Sequence, residues 1–362
     1  MLRHLFLLSC TVTLTFFCEV KPAFPQIKAL AANSLLRYGD TQVTHYRVGA
    51  SITAQRGAVR DVLAMVAVPL SCPEQEVELV KEDISDHVRS HDYRLLQNGG
   101  ARQMLIRVPQ LPNKAEAHAI LTFEVRTRTI LPPTETSELV IPLKPPRELK
   151  RFLLKSPYIE AKHSKFKKIS REIFEKLESS SAENAATVAA ASGSAPGETP
   201  ADVDASVAAE PQAGVATITD WQRVEAIYDY VQETIEYVEG PDKSALATLK
   251  AGQGDCQNIS ALFVALCRTS KIPARIVWVH EHNYPEFCLA DAAGKLHWFP
   301  CESSGSRAFG EMPLARVIMQ KGDNFRVPER KKALRYASDY MIGLPAQAGG
   351  GPPSHKFIRE QL

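Results

Sequence analysis

A glycine-rich turn that runs directly into an apolar helix constrains this chain more than any other stretch. Gly252-Gln253-Gly254-Asp255-Cys256-Gln257-Asn258 leads into Ile259, Leu262, Phe263 and Leu266, an apolar stripe at helical spacing. Strand patterns follow at Ile276-Val277-Trp278-Val279, at 284–289 and at 296–301. The last two flank Asp291-Ala292-Ala293-Gly294, which reads as a hairpin turn.

The preceding chain reads differently. Residues 40–145 have the pattern of an all-β sandwich. Ala119, Leu121, Phe123 and Val125 alternate with Ile120, Thr122, Glu124 and Arg126. Val77 with Leu79, and Ile106 with Val108, mark further short strands. Turn residues separate them at Ser71-Cys72-Pro73, Gln97-Asn98-Gly99-Gly100 and Leu111-Pro112-Asn113. Pro132-Pro133 and Pro145-Pro146 mark the exit. Phe166, Ile169, Ile173, Phe174 and Leu177 then recur at helical spacing among Lys and Arg. Residues 181–216 are dominated by alanine, with no aromatic residue, Lys or Arg, and read as a disordered loop or linker. Order returns at Thr219-Asp220-Trp221-Gln222, a capping box that opens the stripe Trp221, Val224, Ile227, Tyr228, Val231.

Bulk numbers exclude little. The 362 residues suffice for two cores, and a net charge of +2 argues against a dedicated nucleic-acid binder. At the N-terminus, Met1-Leu2-Arg3-His4 and the apolar run 5–17 read as a signal peptide over 1–23, with an uncleaved anchor as the rival. Leu7-Leu8-Ser9-Cys10 has the outline of a lipoprotein acceptor site, but the apolar run before it is too short. The chain is therefore expected to be exported, periplasmic or extracellular, with any membrane association confined to this segment. Removing it leaves Cys72, Cys256, Cys267, Cys288 and Cys301, an odd number. A free thiol in an oxidising compartment favours one that is used.

Cys256 falls in the first turn of its helix, where unsatisfied N–H groups and the macrodipole favour an anion. Asp255 beside it works against this. By itself a cysteine at a helix start is more often structural. The hairpin changes the weighing, because a register about the 291–294 turn sets His282 opposite Glu302. Nucleophile, base and orienting carboxylate would then meet. The same register places Cys288 near His297 and Cys301 near Tyr284, which argues against a Cys288–Cys301 disulfide. His280-Glu281-His282 matches no standard ligand set, so neither a metal nor another cofactor is expected. Asp291 reads as a turn residue, and Trp298 and Phe299 as core.

These residues resemble the transglutaminase-like superfamily. The match runs through Gly254-Asp255-Cys256, the helix 261–268, Ile272-Pro273-Ala274-Arg275, His282-Asn283-Tyr284-Pro285-Glu286 and Trp298-Phe299-Pro300-Cys301-Glu302. The resemblance implies a papain-like α+β core at 150–325, opening with a helix at Ser156-Pro157-Tyr158-Ile159 and interrupted by 181–216 as a disordered insertion, preceded by the β-sandwich and followed by a C-terminal extension, 326–362. It implies Cys256 as nucleophile, His282 as base and Glu302 as the third member. Glu302 stands where the family usually has Asp, and Tyr284 where many relatives have Trp. Gln253 and Tyr237 are the candidates for a second oxyanion donor.

The expected function is an exported cysteine acyl-transfer enzyme acting on peptide or glutamine amides through a thioester. Hydrolysis is favoured over cross-linking, since no clustered acidic calcium-binding pattern is visible. The partner is a protein or peptide substrate. The alternative is a non-catalytic envelope binding module with an inherited triad.

Overall fold

The computed structural model describes residues 35–97, 99–192 and 218–362. The expected signal segment 1–23 lies outside them. Six strands come first: β1 (Arg37–Thr53), β2 (Val59–Val68), β3 (Gln75–Ile84), β4 (Ser90–Leu96), β5 (Ala101–Leu111) and β6 (Glu116–Leu131). Helices α1 (Arg147–Lys150), α2 (Ser164–Ser192) and α3 (Asp220–Thr234) follow. Then come β7 (Glu236–Tyr237), α4 (Ala245–Ala251), β8 (Gln253–Gly254) and α5 (Cys256–Thr269). Strands β9 (Ala274–Val279), β10 (His282–Ala290), β11 (Leu296–Glu302), β12 (Ala308–Phe309), β13 (Ile318–Lys321), β14 (Tyr340–Pro345) and β15 (Ser354–Gln361) complete the chain.

The period-two alternation in β6 does what it predicts. Ala117, Ala119, Leu121, Phe123 and Val125 are buried, and the residues between them are not. They face Val62, Ala64, Val66 and Met104 across the sandwich. One sheet has the order β15-β1-β6-β3. The other does not stop at the sandwich. It runs β12-β11-β10-β9-β13-β5-β2-β14, with β4 on β5, so the core's strands and the sandwich's strands form one nine-stranded sheet. β13 is the seam, pairing with β9 on one side and with Ala101 of β5 on the other. The described residues fall in one compact unit.

The C-terminal extension, 326–362, folds back onto the sandwich: β14 pairs with β2 and β15 with β1, so it supplies a strand to each sheet. Two expectations need correction. The stretch 181–192 is helical, continuing α2, because alanine has the highest helix propensity and a helix already under way needs no new nucleus. The rest of the alanine-rich segment, 193–216, lies outside the described residues. Ser156-Pro157-Tyr158-Ile159 is a bridged turn, not a helix; Tyr158 has φ +68°, and α2 starts only at Ser164.

α5 is buried from Asn258 to Arg268 and packs between α3, α4 and the sheet. Trp221 of α3 meets Phe287, Phe299 and Phe309 edge-on, at centroid distances of 5.5, 5.2 and 5.0 Å. Each such pair contributes about 0.5–1.5 kcal/mol beyond area burial. The seam is ionic. Lys321 is buried and bonded to Glu74 of the β2–β3 turn and, at 2.8 Å, to Glu286 of β10. Arg275 of β9 holds the other Glu286 oxygen at 2.7 Å.

Candidate active site

The chain is brought to Cys256 by a sequence of stops. α4 ends at Gly252, whose φ of +67° is the left-handed region that closes a helix. Gln253–Gly254 then pairs in parallel with Glu236–Tyr237. A Cβ on Gly254 would lie 2.7 Å from Asn258 Cβ, so the turn can pass this close only with glycine. Asp255 caps α5, its Oδ1 accepting from Asn258 N–H at 2.9 Å. Cys256 is thus the first helical residue and is partly exposed. The N–H groups of Cys256 and Gln257 are the first-turn donors that no preceding helical carbonyl can reach.

His282 is the first residue of β10, set by a tight turn in which Glu281 has φ +54°. The turn is held from the sandwich, where Tyr46 of β1 bonds His280 Nδ1 at 2.8 Å. Glu302 ends β11. Its Oε2 lies 2.8 Å from His282 Nε2, while Oε1 accepts from Ser304 N–H and hydroxyl, both at 3.1 Å. The Glu302 carbonyl accepts from Tyr228 Oη at 2.7 Å and Gln232 Nε2 at 2.9 Å, so α3 fixes the strand end. The carboxylate is therefore oriented at both oxygens.

The hairpin register lies two residues from the one that would set His282 opposite Glu302, and one residue from the one that would set Cys288 opposite His297. Glu286 faces Pro300, and Cys288 faces Trp298. A two-residue offset keeps every side chain on its face, so His282 and Glu302 still share one and meet diagonally. Cys288 and Cys301 are unpaired, as are Cys72, Cys256 and Cys267.

The imidazole is electrostatically shaped. Burial works against its charge, but hydrogen bonds to Cys256 and Glu302, with the Glu302 charge, outweigh it and push His282 up to about 9. Glu302 is held below the usual carboxylate range: burial opposes this, and the His282 contact and the Ser304 donors overcome it. With Nε2 committed to Glu302, Nδ1 is the nitrogen left for the thiol. The other thiols are pushed toward the protonated form by burial, Cys288 to about 12 and Cys72, Cys267 and Cys301 well up.

The two oxyanion candidates fare differently. Tyr237 is half exposed beside the site; its phenol is raised by desolvation and by the proximity of Cys256, Glu239, Asp255 and Glu302. Gln253 is exposed on β8, its carbonyl taking Lys243 Nζ at 3.2 Å. Its side chain makes no hydrogen bond to the site among the described residues. Asp291 does orient a histidine, but the wrong one: it bonds His297 Nε2 at 2.8 Å at the far end of the hairpin while closing the turn through Ala293 and Lys295 N–H. No group of three His, Cys, Asp or Glu side chains poised to hold a metal occurs among the described residues.

Sequence reasoning passed over Asn283. Its Nδ2 donates to Cys256 Sγ at 3.2 Å. Its neighbour His282 drew the attention, and strand alternation alone would have sent the two side chains apart. It also passed over Ser304, Tyr228 and Gln232, for which no local pattern signals a contact with Glu302.

Residues 206–313 match the family model of the Transglutaminase-like superfamily, a span that contains Cys256, His282 and Glu302. The fold is similar to the solved structure of a proposed cysteine protease from Cytophaga hutchinsonii, with a TM-score of 0.53 and 16% identity over 90% of this chain and 92% of that one. At that identity the likeness establishes the fold. No curated protein matches the chain. The chain thus has an α+β fold in which a transglutaminase-like core adjoins a β-sandwich.

Proposed function

We propose that this protein is an exported cysteine acyl-transfer enzyme that opens peptide or glutamine amides through a thioester on Cys256. The observation that carries the reading is the relay Cys256–His282–Glu302, with its 2.8 Å imidazole–carboxylate bond. The family match and the fold support a cysteine-type enzyme. Export rests on the basic start and apolar run at the N-terminus.

The groups divide the work as follows. The Cys256 thiolate attacks the amide carbonyl carbon, and its charge passes to the oxygen. The first-turn N–H groups, with Tyr237 at the rim, are placed to receive that oxyanion. The C–N bond breaks as His282 gives its proton to the leaving amine. Neutral His282 then takes a proton from water as the water adds to the thioester. The C–S bond breaks, releasing the carboxylic acid and the thiolate, and His282 is again protonated. Glu302 holds the imidazole in one orientation throughout. Water is favoured as the acceptor on the ground given by the sequence, which carries no clustered acidic calcium-binding pattern.

The test is to incubate wild type and Cys256→Ala with a peptide library and a labelled amine. Shortened or deamidated peptides that require Cys256 support hydrolysis. Label that requires Cys256 means transfer to amines. Unmodified peptides with both proteins would favour a binding module.

A further inference from the structure

We infer that Asn283 is a further residue of the reaction centre: its side-chain amide holds the Cys256 sulfur anion from the buried side, opposite His282. The inference rests on Cys256 being the nucleophile. Asn283 is 1% exposed, and its Nδ2 donates to Sγ at 3.2 Å. His282 reaches the same sulfur from the partly exposed side. Two consecutive residues at the start of β10 therefore flank the thiol, one from each face of the strand.

Three observations assign the amide to the sulfur rather than to packing. First, Asn283, Pro285, Phe287 and Leu289 share the face of β10 turned to α5, and the face is polar only where the thiol lies. Second, Asn283 Oδ1 is buried with no partner, so the side chain spends its one internal hydrogen bond on sulfur and leaves its acceptor unmet. A residue kept for packing would be apolar and would avoid that cost. Third, two carboxylates work against a second anion at this helix start. Asp255 caps the helix beside Cys256, and Glu302 stands behind His282. His282 supplies the positive charge, and Asn283 adds a neutral donor that persists when His282 has given its proton away. A hydrogen bond to an ionised acceptor is roughly twice as strong as one to a neutral acceptor, so the amide favours thiolate over thiol.

The test reads alkylation of Cys256 by iodoacetamide in the full chain, with the site located by mass spectrometry, as the ratio of rates at pH 6 and pH 9. Wild type keeps a larger fraction of its rate at pH 6 than a free cysteine peptide does. Asn283→Leu, close in shape but without a donor, lowers that fraction by about tenfold. Asn283→Ala, which also lacks a donor, carries the same direction and serves if the leucine variant does not fold. His282→Ala lowers it as well. If wild type behaves like the free peptide, the nucleophile assignment itself falls. If wild type and His282→Ala behave as stated while a folded Asn283 variant keeps the wild-type ratio, the inference about Asn283 is overturned and the nucleophile assignment stands.

Discussion

At the scale of single residues, the site works by setting charges against burial. His282 is raised from 6.5 to about 9 although burial alone would lower it, and Glu302 is lowered although burial alone would raise it. Each shift is in part the other's cause, so their shared bond is counted once; Cys256 adds to the rise of His282 and the Ser304 donors add to the fall of Glu302. The raised imidazole contributes stability that is complete below 6.5 and is lost as pH rises through about 9. The lowered carboxylate contributes stability present above its ordinary 4.5 and lost as pH falls through its lowered value. Turnover is therefore expected to hold across neutral pH and to fall as His282 loses its proton near 9. Glu302→Gln should bring that alkaline limb down and reduce kcat by about 10²–10⁴-fold, from the size of acid–base and orienting effects. A pH–rate profile of the two proteins checks this, and an unchanged limb would remove Glu302 from the relay. The residue types of the relay were legible in the sequence, but Asn283 was not, because only the third dimension shows both sides of a strand end reaching one sulfur.

At the scale of elements, local rules did most of the work. The capping box before α3 is realised, with Gln222 N–H donating to Thr219 Oγ1 at 3.2 Å and Thr219 N–H donating to Gln222 Oε1 at 2.9 Å. The stripe behind it is buried as its spacing requires. Register was harder, because a turn motif fixes where a hairpin bends only to within a residue or two. Here the error of two residues was harmless, since face is preserved by even offsets. The alanine-rich start at 181–192 was misread because composition speaks to core formation, whereas a helix begun by Phe166 and Ile173 can extend on propensity alone. The turn before α5 makes the sharpest prediction at this scale. Gly254→Ala would drive a methyl against Asn258 Cβ and Thr248 Cγ2. Overpacking of that kind costs about 1–3 kcal/mol and would displace the thiol. Thermal melting and turnover should fall together, and a variant with wild-type values of both would show that the turn has slack.

At the scale of the whole molecule, the sandwich and the core are continuous. Their shared sheet could not be read from the sequence, because β13 to β5 is a pairing between strands remote in the chain and the C-terminal strands return to the first ones. The sandwich supports the site at two points: Tyr46 on the His280 turn, and Glu74 on the Lys321–Glu286 network beneath β10. Lys321→Met would leave Glu74 and Glu286 buried without their shared cation. We expect a loss of about 3–5 kcal/mol in urea unfolding, as for other broken buried pairs. A loss below about 1 kcal/mol, the scale of a surface pair, would mean that the seam is held by packing instead.

The central claim is that Cys256 carries the acyl group, and the comparison of wild type with Cys256→Ala tests it most directly. In peptide incubations with a labelled amine, quenched in acid and read by intact mass, wild type should show an acyl adduct on Cys256 together with cleaved or deamidated peptide. Cys256→Ala should show neither. Peptide products of equal yield from both proteins, or an adduct on any other residue, would contradict the account.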